Sequence, residues 1–543
     1  MAGGVRIALL GPMQQDNLPL GYLAAAAEAA GHRPTLVRFD GTSHKQECVD
    51  AVMGLAPDAV GLALPFQLSV ADGVDLVAAL RARGYRGHVT CGGHVATFCW
   101  ESLLSGAPGF DSAVRHEGEE TLVALLDALA EGRAPRDIPG LVWRGDDGVA
   151  VCGPKRGPVA QLDALPWPAR RQTALGIGGA RLAFILTSRG CIGECAYCSI
   201  RAFNRDMGGP RFRLRRPEAI ADEVADLYHR LGVRIFCAQD DLFVLPNEDE
   251  AVSRMNAIEA ALRARGVGRD ALFWVKGRPE TITAAVVDAA CAMGAVHMFL
   301  GVESASNARL AYLGRRHVHA DNERAVRLCE ERDLKPSFNL MLFDPDCALE
   351  EVRESIDFAA AHPEIPWNIC RTEIYPGTWL SERLSAEGRL RGGVLGFQYT
   401  MRDTRAELMF RAMRIAFHER AFAASALLNR LITLSFARQV HERLLPGAAT
   451  DALSRRVDAL GMEARLDTVA ELRRLADSCD RSGASDKGDL REQAIALAMG
   501  MQRRDHEFLG RFETLWTTLN ERGEILLGGG GSRSADAARE VAT

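Results

Sequence analysis

Short apolar runs alternate with longer helical patterns along residues 1–132. The apolar runs predict five strands, which are Val5–Leu10, Thr35–Phe39, Ala59–Leu64, His88–Cys91 and Ser112–Arg115. Strands that alternate with helices are typical of a doubly wound, Rossmann-like α/β domain with a parallel sheet. Ligands of such sheets lie outside the carboxyl ends of the strands, so we expect a binding site in the loops that follow them.

Residues 133–180 lack this alternation and predict a linker. The segment is rich in proline, and Leu141–Val151 has the pattern of a hairpin that turns at Asp147 and Gly148. We therefore expect a domain boundary here.

The alternation of strands and helices returns in residues 181–389. Six strands are predicted there, which are Leu182–Thr187, Val233–Ala238, Ala271–Lys276, Val296–Gly301, Ser337–Phe343 and Trp367–Glu373. This count suits a (β/α)6 partial barrel with its chemistry at the carboxyl ends of the strands. Residues 390–525 change to long helical patterns, which we expect to cap the barrel and shape a substrate pocket, or else to serve packing or dimerisation. The glycine-rich residues 526–543 predict a disordered tail.

Length and composition limit the classes of protein to consider. A chain of 543 residues has room for two to four domains at about 150 residues each. Its net charge of −6 provides no overall basic surface for nucleic acid. No apolar run reaches the about 18 residues that cross a bilayer, and the start predicts no secretion signal. We therefore expect a cytoplasmic protein, with reduced cysteines and no nucleic-acid or membrane partner.

The strongest chemical signal is the spacing C-x3-C-x2-C of Cys191, Cys195 and Cys198, directly after the first predicted barrel strand. Three thiolates can bind three irons of a 4Fe-4S cube and leave the fourth iron open, whereas ferredoxin-type carriers use four thiolates. Half of a zinc site is the alternative, but no second Cys or His pair follows at zinc-ribbon spacing. A disulfide framework is disfavoured in a long chain without a secretion signal.

This triplet resembles the signature of the radical S-adenosylmethionine (radical SAM) family, in which the amino and carboxylate groups of SAM chelate the open iron. Other motifs resemble those of that family at successive strand ends. Gln239-Asp-Asp241 resembles the acidic motif near the SAM amino and ribose groups, and Gly301-Val-Glu-Ser304 resembles the ribose-contacting Gly-x-Glu-Ser. Ile374-Tyr-Pro-Gly-Thr-Trp-Leu380 resembles the family's Pro-Gly-Thr turn. The resemblance implies that the following residues contact SAM: Tyr197, Asp240, Asp241, Glu303 and Ser304. Each of these residues could instead be a packing residue or a solvated strand end. The order of the motifs, one at each strand end after the cysteines, is stronger evidence than any single motif.

Further polar residues are predicted near the same strand ends, namely Lys276, Arg278, His297, Arg371 and Glu373. Clustered cations there could hold an anionic group of a substrate. Ordinary surface ion pairs are the interpretation that we favour.

The N-terminal loops resemble the cobalamin-binding domain that some radical SAM proteins carry before the barrel. The matching pieces are Leu18–Ala24, Pro57–Gly61, Cys91–Thr97 and Glu117–Leu122. The resemblance implies cobalamin contacts from Pro65, Phe66, Gln67, Ser69, Gly92, Gly93, His94, Glu117 and Gly118. The motif Asp-x-His-x-x-Gly is absent, which implies cobalamin with its base detached and no histidine beneath cobalt. A sheet that binds another ligand, or none, is the alternative, although G-x-G-x-x-G and P-loop motifs are also absent.

Together, the two resemblances point to a class B radical SAM methyltransferase. They imply a 4Fe-4S cluster, SAM and methylcobalamin as cofactors, a small-molecule substrate and an external electron donor such as flavodoxin or ferredoxin. A deoxyadenosyl radical would activate a carbon or a phosphinate phosphorus of a natural-product intermediate, which then takes the methyl group. The same architecture also serves oxidative cyclisation or ring contraction, and a cobalamin-binding sensor without catalysis is the alternative of another class. No side chain is required as a general base.

Overall fold

The computed structural model describes residues 4–13, 16–106, 109–170, 176–423, 425–482 and 487–527. The chain forms two compact units. The first unit contains Met1–Gln172, Ser188–Arg216 and Glu373–Tyr399, and the second contains Thr173–Thr187, Pro217–Thr372 and Thr400–Thr543.

The strands are β1 (Arg6–Gly11), β2 (Arg33–Arg38), β3 (Ala59–Ala63), β4 (His88–Gly92), β5 (Ser112–Val114), β6 (Leu141–Arg144), β7 (Ala150–Cys152), β8 (Gly176–Ile177), β9 (Ala180–Ile185), β10 (Ser188–Gly190), β11 (Phe212–Leu214), β12 (Val233–Ala238), β13 (Leu272–Gly277), β14 (Ala295–Glu303), β15 (Lys335–Phe343), β16 (Trp367–Arg371), β17 (Arg391–Gly393) and β18 (Gly396–Gln398).

The α-helices are α1 (Leu18–Ala29), α2 (Lys45–Leu55), α3 (Leu68–Ala82), α4 (His94–Phe98), α5 (Trp100–Gly106), α6 (Glu119–Ala130), α7 (Ser199–Met207), α8 (Pro217–Leu231), α9 (Glu248–Ala264), α10 (Ala284–Met293), α11 (Asn307–Tyr312), α12 (His319–Glu331), α13 (Leu349–Ala361), α14 (Trp379–Ala386), α15 (Thr404–Ala416), α16 (Leu427–Leu444), α17 (Ala448–Ser482) and α18 (Lys487–Leu527). Short 3-10 turns occur at Thr42–His44, Leu162–Ala164 and Pro279–Thr281, and a π turn occurs at His418–Phe422.

The first unit is built around a sheet in the order β2-β1-β3-β4-β5-β6-β7. Its first five strands are parallel, which confirms the predicted doubly wound fold. Successive residues of β1 enter different cores, with Ala8 and Leu10 in one and Ile7 and Leu9 in the other, as expected for a sheet covered on both faces. The predicted hairpin also forms, and its strands β6 and β7 extend this sheet in antiparallel direction.

The second unit contains a sheet in the order β16-β15-β14-β13-β12-β9-β8. The strands β9 and β12 to β16 are parallel and follow the order of the chain, which confirms the predicted (β/α)6 partial barrel. The short strand β8 pairs antiparallel with β9 and was not predicted.

Long helices follow the barrel, as the sequence predicts. The side chain of Arg420, on the π turn, is fully buried and pairs with Asp467 of α17 and Asp505 of α18. This ion network joins the three segments in the helical part of the second unit. The predicted tail 526–543 lies outside the described residues except for its first two, which end α18. Among the described helices, none is both long and apolar enough to cross a bilayer.

Candidate cofactor-binding site

The three cysteines of the triplet lie on the loop between β10 and α7, in the first unit. Cys195 is buried, whereas Cys191 and Cys198 are half-buried. The backbone N–H of Gly193 donates to the Cys191 sulfur at 3.2 Å, and Cys198 is the N-cap of α7. Both positions favour negative charge on sulfur, so this donor set fits thiolate ligation.

The exact ligand set of a cluster stays a prediction. Among the described residues, no group of three or more His, Cys, Asp or Glu side chains is placed so that it could hold a metal ion. The loop itself is anchored, because the Leu380 N–H donates to the Ala196 carbonyl at 3.1 Å. Tyr197, the predicted adenine contact, directly precedes Cys198 in the chain, and its side chain is half-buried.

The loop between β3 and α3, together with the first turn of α3, carries four of the predicted cobalamin residues. The side chain of Gln67 is buried, and its Oε1 accepts a hydrogen bond from the Phe397 N–H at 2.7 Å. Ser69 Oγ donates to the Phe66 carbonyl at 2.7 Å, and Pro65 is half-buried. Phe66 is 53% exposed and is therefore the most open side chain of the four.

Gly92 ends β4, and Gly93 begins the turn into α4. Gly93 has a φ of +109°, and a Cβ on it would lie 2.8 Å from the Leu64 carbonyl oxygen. The turn thus requires glycine, because a side chain would collide with the backbone of Leu64, the residue that follows β3.

We expect the substitution Gly93→Ala to lower cobalamin affinity by at least about tenfold, because the clash displaces the loop after β4. The matched control is Gly84→Ala, whose φ is +91° but whose added Cβ would meet nothing within 4 Å. In both variants the alanine is forced into a positive φ, which destabilises the folded protein by about 1–2 kcal/mol. Only in Gly93→Ala does the added Cβ also collide with neighbouring backbone atoms. Spectroscopic titration with hydroxocobalamin measures the dissociation constants, and equal values for the two variants would contradict this prediction.

His94 fills an aromatic pocket of the first unit. Its Nε2–H donates to the Pro376 carbonyl at 3.2 Å, and its ring lies 4.8 Å from Phe98 and 5.7 Å from Tyr375. Burial lowers the pKa of His94 to about 4, although the Pro376 hydrogen bond opposes this shift. The imidazole is therefore neutral at physiological pH.

The depressed pKa of His94 makes stability depend on pH. A histidine of the unfolded chain has a pKa near 6.5. As the pH falls below this value, the unfolded chain binds a proton, whereas His94 of the folded chain stays neutral. The contribution of neutral His94 is thus complete above about pH 6.5 and is lost as the pH falls toward 4. We expect His94→Gln to show a smaller drop in melting temperature between pH 7.5 and 5 than the wild type. The exposed control His418→Gln should keep the wild-type drop, and an unchanged drop in His94→Gln would refute the assignment.

A buried ion network joins the loop after β5 to the strands that flank the cysteines. Glu117 binds the Arg213 guanidinium of β11 at 2.5 and 2.9 Å and lies 3.6 Å from Arg189 of β10. Glu119 binds Arg189 at 2.6 Å. The side chains of these four residues are each at most 15% exposed. We call this network the carboxylate clamp.

The carboxylate clamp favours the ionised form of Glu117. Burial raises the pKa of this carboxyl, but the hydrogen bond from Arg213 and the charges of Arg189 and Arg213 outweigh burial, so the net pKa is lowered. Glu117 Oε2 also accepts from the Val159 N–H at 2.7 Å. Glu117, predicted as a cobalamin contact, thus holds the cysteine-bearing strands. Gly118 follows it as the N-cap of α6.

A second contact joins the same loop to α7. His116 is buried in a left-handed conformation with φ +62°, which is unusual for a residue with a side chain. Its Nε2 bonds to Asp206 Oδ2 at 2.8 Å, and its ring lies 5.2 Å from Phe203. No sequence motif marks Arg189, Arg213 or Asp206, since a pairing across seventy to ninety-six residues leaves no local pattern.

The second unit holds the other predicted SAM residues. Asp240 is fully buried after β12 and accepts hydrogen bonds from the Thr187 N–H at 2.9 Å and Oγ1–H at 3.1 Å. Asp241, the next residue, is exposed. Asp240 therefore links the carboxyl ends of the neighbouring strands β12 and β9.

Glu303 and Ser304 lie at the carboxyl end of β14, with β13 between them and Asp240 in the sheet order. Glu303 has a strained φ of +64° and lies 3.6 Å from Arg315, which donates to the Gly301 carbonyl at 2.6 Å. Ser304 is buried, and its Oγ accepts from the Ser306 N–H at 3.1 Å.

The remaining polar candidates occupy different positions. Lys276 Nζ donates to Gln239 Oε1 at 3.2 Å, which joins the ends of β13 and β12. Arg278 pairs with Glu280, and Arg371 lies over the Phe410 ring at 4.4 Å. Glu373 is half-buried in the first unit. His297 was expected near a carboxyl end, but it is the third of the nine residues of β14 and lies near the amino end of that strand.

Two parts of this chain match models of known protein families. Residues 12–126 match the family model of the B12 binding domain, and residues 185–359 match that of the radical SAM superfamily. An uncharacterised methyltransferase of Pyrococcus horikoshii is 28% identical over 305 residues, which cover 56% of this chain and 64% of that protein. The anaerobic magnesium-protoporphyrin IX monomethyl ester cyclase of Cereibacter sphaeroides is 30% identical over 258 residues, or 45% of this chain and 39% of that protein. The chain thus spans less than two thirds of these relatives.

The fold has a solved counterpart. The cobalamin-dependent S-adenosylmethionine radical enzyme OxsB, determined with aqua-cobalamin and S-adenosylmethionine bound, superposes with a TM-score of 0.65. The match covers 99% of this chain and 82% of that one at 15% identity, so it concerns the fold alone. Both family models match in this order, so the chain carries a B12 binding domain followed by a radical SAM domain, and its cofactors are cobalamin, SAM and a 4Fe-4S cluster.

Proposed function

We propose that this protein is a cobalamin-dependent radical SAM methyltransferase. It transfers a methyl group from SAM, through methylcobalamin, to an unactivated carbon or a phosphinate phosphorus of a small natural-product intermediate. When bound, the cluster and SAM supply a deoxyadenosyl radical, and cobalamin supplies the methyl group. An external donor such as flavodoxin or ferredoxin provides the electrons in the cytoplasm.

The carboxylate clamp is the observation that carries this proposal. It binds the loop after β5, which belongs to the B12 binding domain, to β10 and β11 on either side of the cysteines. A sensor that only binds cobalamin needs no such connection to a cluster segment. Holding two cofactor-binding segments in one compact unit suits a reaction that uses both cofactors on one substrate.

The side chains of the chain bind and orient rather than move protons. Cys191, Cys195 and Cys198 would hold the cluster, and Gly93 and Phe66 would contact cobalamin. Tyr197, Asp241 and Glu303 would contact SAM, with Asp240 and Ser304 supporting their strand ends from buried positions. Neutral His94 keeps the aromatic pocket free of charge.

The test is anaerobic reconstitution of the protein with iron, sulfide and methylcobalamin, followed by reduction and addition of SAM and candidate substrates. We expect S-adenosylhomocysteine to form beside 5′-deoxyadenosine, together with a product heavier by one methyl group. Formation of 5′-deoxyadenosine alone would contradict methyl transfer.

Radical cyclisation is the second candidate, because a cyclase is among the relatives with the highest identity. It predicts 5′-deoxyadenosine with a substrate that loses hydrogen and gains no methyl group. Mass spectrometry of the same reactions distinguishes the two functions.

A further inference from the structure

The cysteine-bearing segment is strongly basic within an acidic chain. Residues 188–216 contain two acidic residues, Glu194 and Asp206, whereas the chain as a whole has a net charge of −6. The segment also contains the arginines Arg189, Arg201, Arg205, Arg211, Arg213, Arg215 and Arg216. Arg189 and Arg213 belong to the carboxylate clamp, and Arg215 is buried beside Asp163. The other arginines have no part in the site described above.

Two of these arginines lie directly on the cysteine loop. Arg201 donates to the Glu194 carbonyl at 3.0 Å, and both Arg201 and Arg211 pair with the Glu194 carboxylate, at 2.7 and 2.5 Å. Glu194 is the residue before Cys195. Both basic side chains thus pair with the residue directly before a predicted cluster ligand.

An apolar surface accompanies these charges. Ile192, which follows Cys191, is 39% exposed, and Trp379 is 41% exposed. The hydrogen bond from Leu380 to Ala196 brings the start of α14, and Trp379 with it, to the cysteine loop. Arg205 donates to the Gly377 carbonyl at 3.2 Å, so it lies beside the same turn. Exposed Trp and Arg residues around an apolar centre are the composition of protein interfaces.

We propose that Ile192, Trp379, Arg201, Arg205 and Arg211 form the docking surface for an acidic electron-donor protein of the flavodoxin type. The inference rests on the proposed function, since a cluster that cleaves SAM must receive one electron for each cleavage. The donor is oxidised by one electron, and the cluster is reduced by one. The ion pairs of these arginines lie at the surface and are weak, so carboxylates of a partner can replace them.

The test compares Arg205→Gln/Arg211→Gln and Trp379→Ala with a matched control, Arg83→Gln/Arg136→Gln. The side chains of Arg205 and Arg211 are 53% and 51% exposed, and those of Arg83 and Arg136 are 52% and 51% exposed. Calorimetry measures the binding of a flavodoxin to reconstituted protein at two salt concentrations. Formation of 5′-deoxyadenosine is followed with reduced flavodoxin and, separately, with dithionite, which needs no docking surface.

We expect both surface variants to raise the flavodoxin Kd and KM about tenfold, and the arginine variant to weaken the salt dependence of binding. The control pair should match the wild type, and all variants should keep the wild-type rate with dithionite. Unchanged Kd and KM in the surface variants would overturn the inference. An equal loss of rate with dithionite would also overturn it, because the residues would then support the cluster rather than the donor. Absence of SAM cleavage by wild-type protein with dithionite would instead refute the proposed function, and this inference with it.

Discussion

Replacement of Cys195 by alanine should remove the 4Fe-4S cluster and abolish reductive cleavage of SAM. Three thiolates are the fewest that this site can use, and Cys195 is only 7% exposed, so water cannot readily take its place. We expect iron and sulfide contents near zero after anaerobic reconstitution, no electron paramagnetic resonance signal after reduction, and no detectable 5′-deoxyadenosine.

The control for this variant is Cys48→Ala. Cys48 is also buried, on α2 and outside the triplet, and burial raises the pKa of its thiol to about 12, so it remains protonated. This variant should retain the cluster and SAM cleavage. A Cys195→Ala protein with wild-type iron content and SAM cleavage would show that the cluster assignment is wrong.

Replacement of Glu117 by glutamine should have the largest effect on stability. The neutral amide leaves Arg213, and in part Arg189, as buried cations without their counter-charge. Loss of one partner of a buried ion pair costs about 3–5 kcal/mol. Chemical denaturation of the cofactor-free protein measures this loss. In the reconstituted enzyme we expect the ratio of S-adenosylhomocysteine to 5′-deoxyadenosine to fall, since radical formation loses its connection to methyl transfer.

The control for Glu117→Gln is Glu120→Gln. The side chain of Glu120 is 58% exposed and pairs with Arg156 at the surface, so its loss should cost less than about 1 kcal/mol. If the two variants were equally stable and gave the same product ratio, the carboxylate clamp would have no role in connecting radical formation to methyl transfer.

The clamp also predicts a dependence on pH. Because the pKa of Glu117 is lower in the folded protein than in the unfolded chain, its contribution is fully present above the unfolded value of about 4.3. The contribution is lost as the pH falls through the folded value. Acidification below about pH 4 should therefore destabilise the wild type more than Glu117→Gln.

Much of the fold could be predicted because the relevant patterns are local. The predicted strand Val233–Ala238 matches β12 at both ends, since a largely apolar run between Gly232 and Gln239 is visible within a few positions. The hairpin at Asp147 and Gly148 was predicted for the same reason. The strand β8 was missed, because two residues are too few to show any period.

The hydrogen-bond partners of several site residues could not be predicted, because these partners are distant in the chain. Gln67 is predicted to contact cobalamin, and its amide oxygen accepts a hydrogen bond from the Phe397 N–H, 330 residues away. Asp240 is predicted as a SAM contact, and its carboxylate accepts two hydrogen bonds from Thr187, which follows the neighbouring strand β9. Which polar groups meet in a core depends on strand order and register, which no local pattern encodes.

The sequence by itself determined which cofactors this protein uses. The spacing of Cys191, Cys195 and Cys198 indicates a cluster, and the loops of the N-terminal sheet resemble a cobalamin-binding domain, because both signals lie in short runs of residues. Only the tertiary structure decided how the cysteine segment is held. Glu117 and Glu119 meet Arg189 and Arg213 only when the loop after β5 and the start of α6 pack on β10 and β11 within the first unit, where burial makes each charge require its partner.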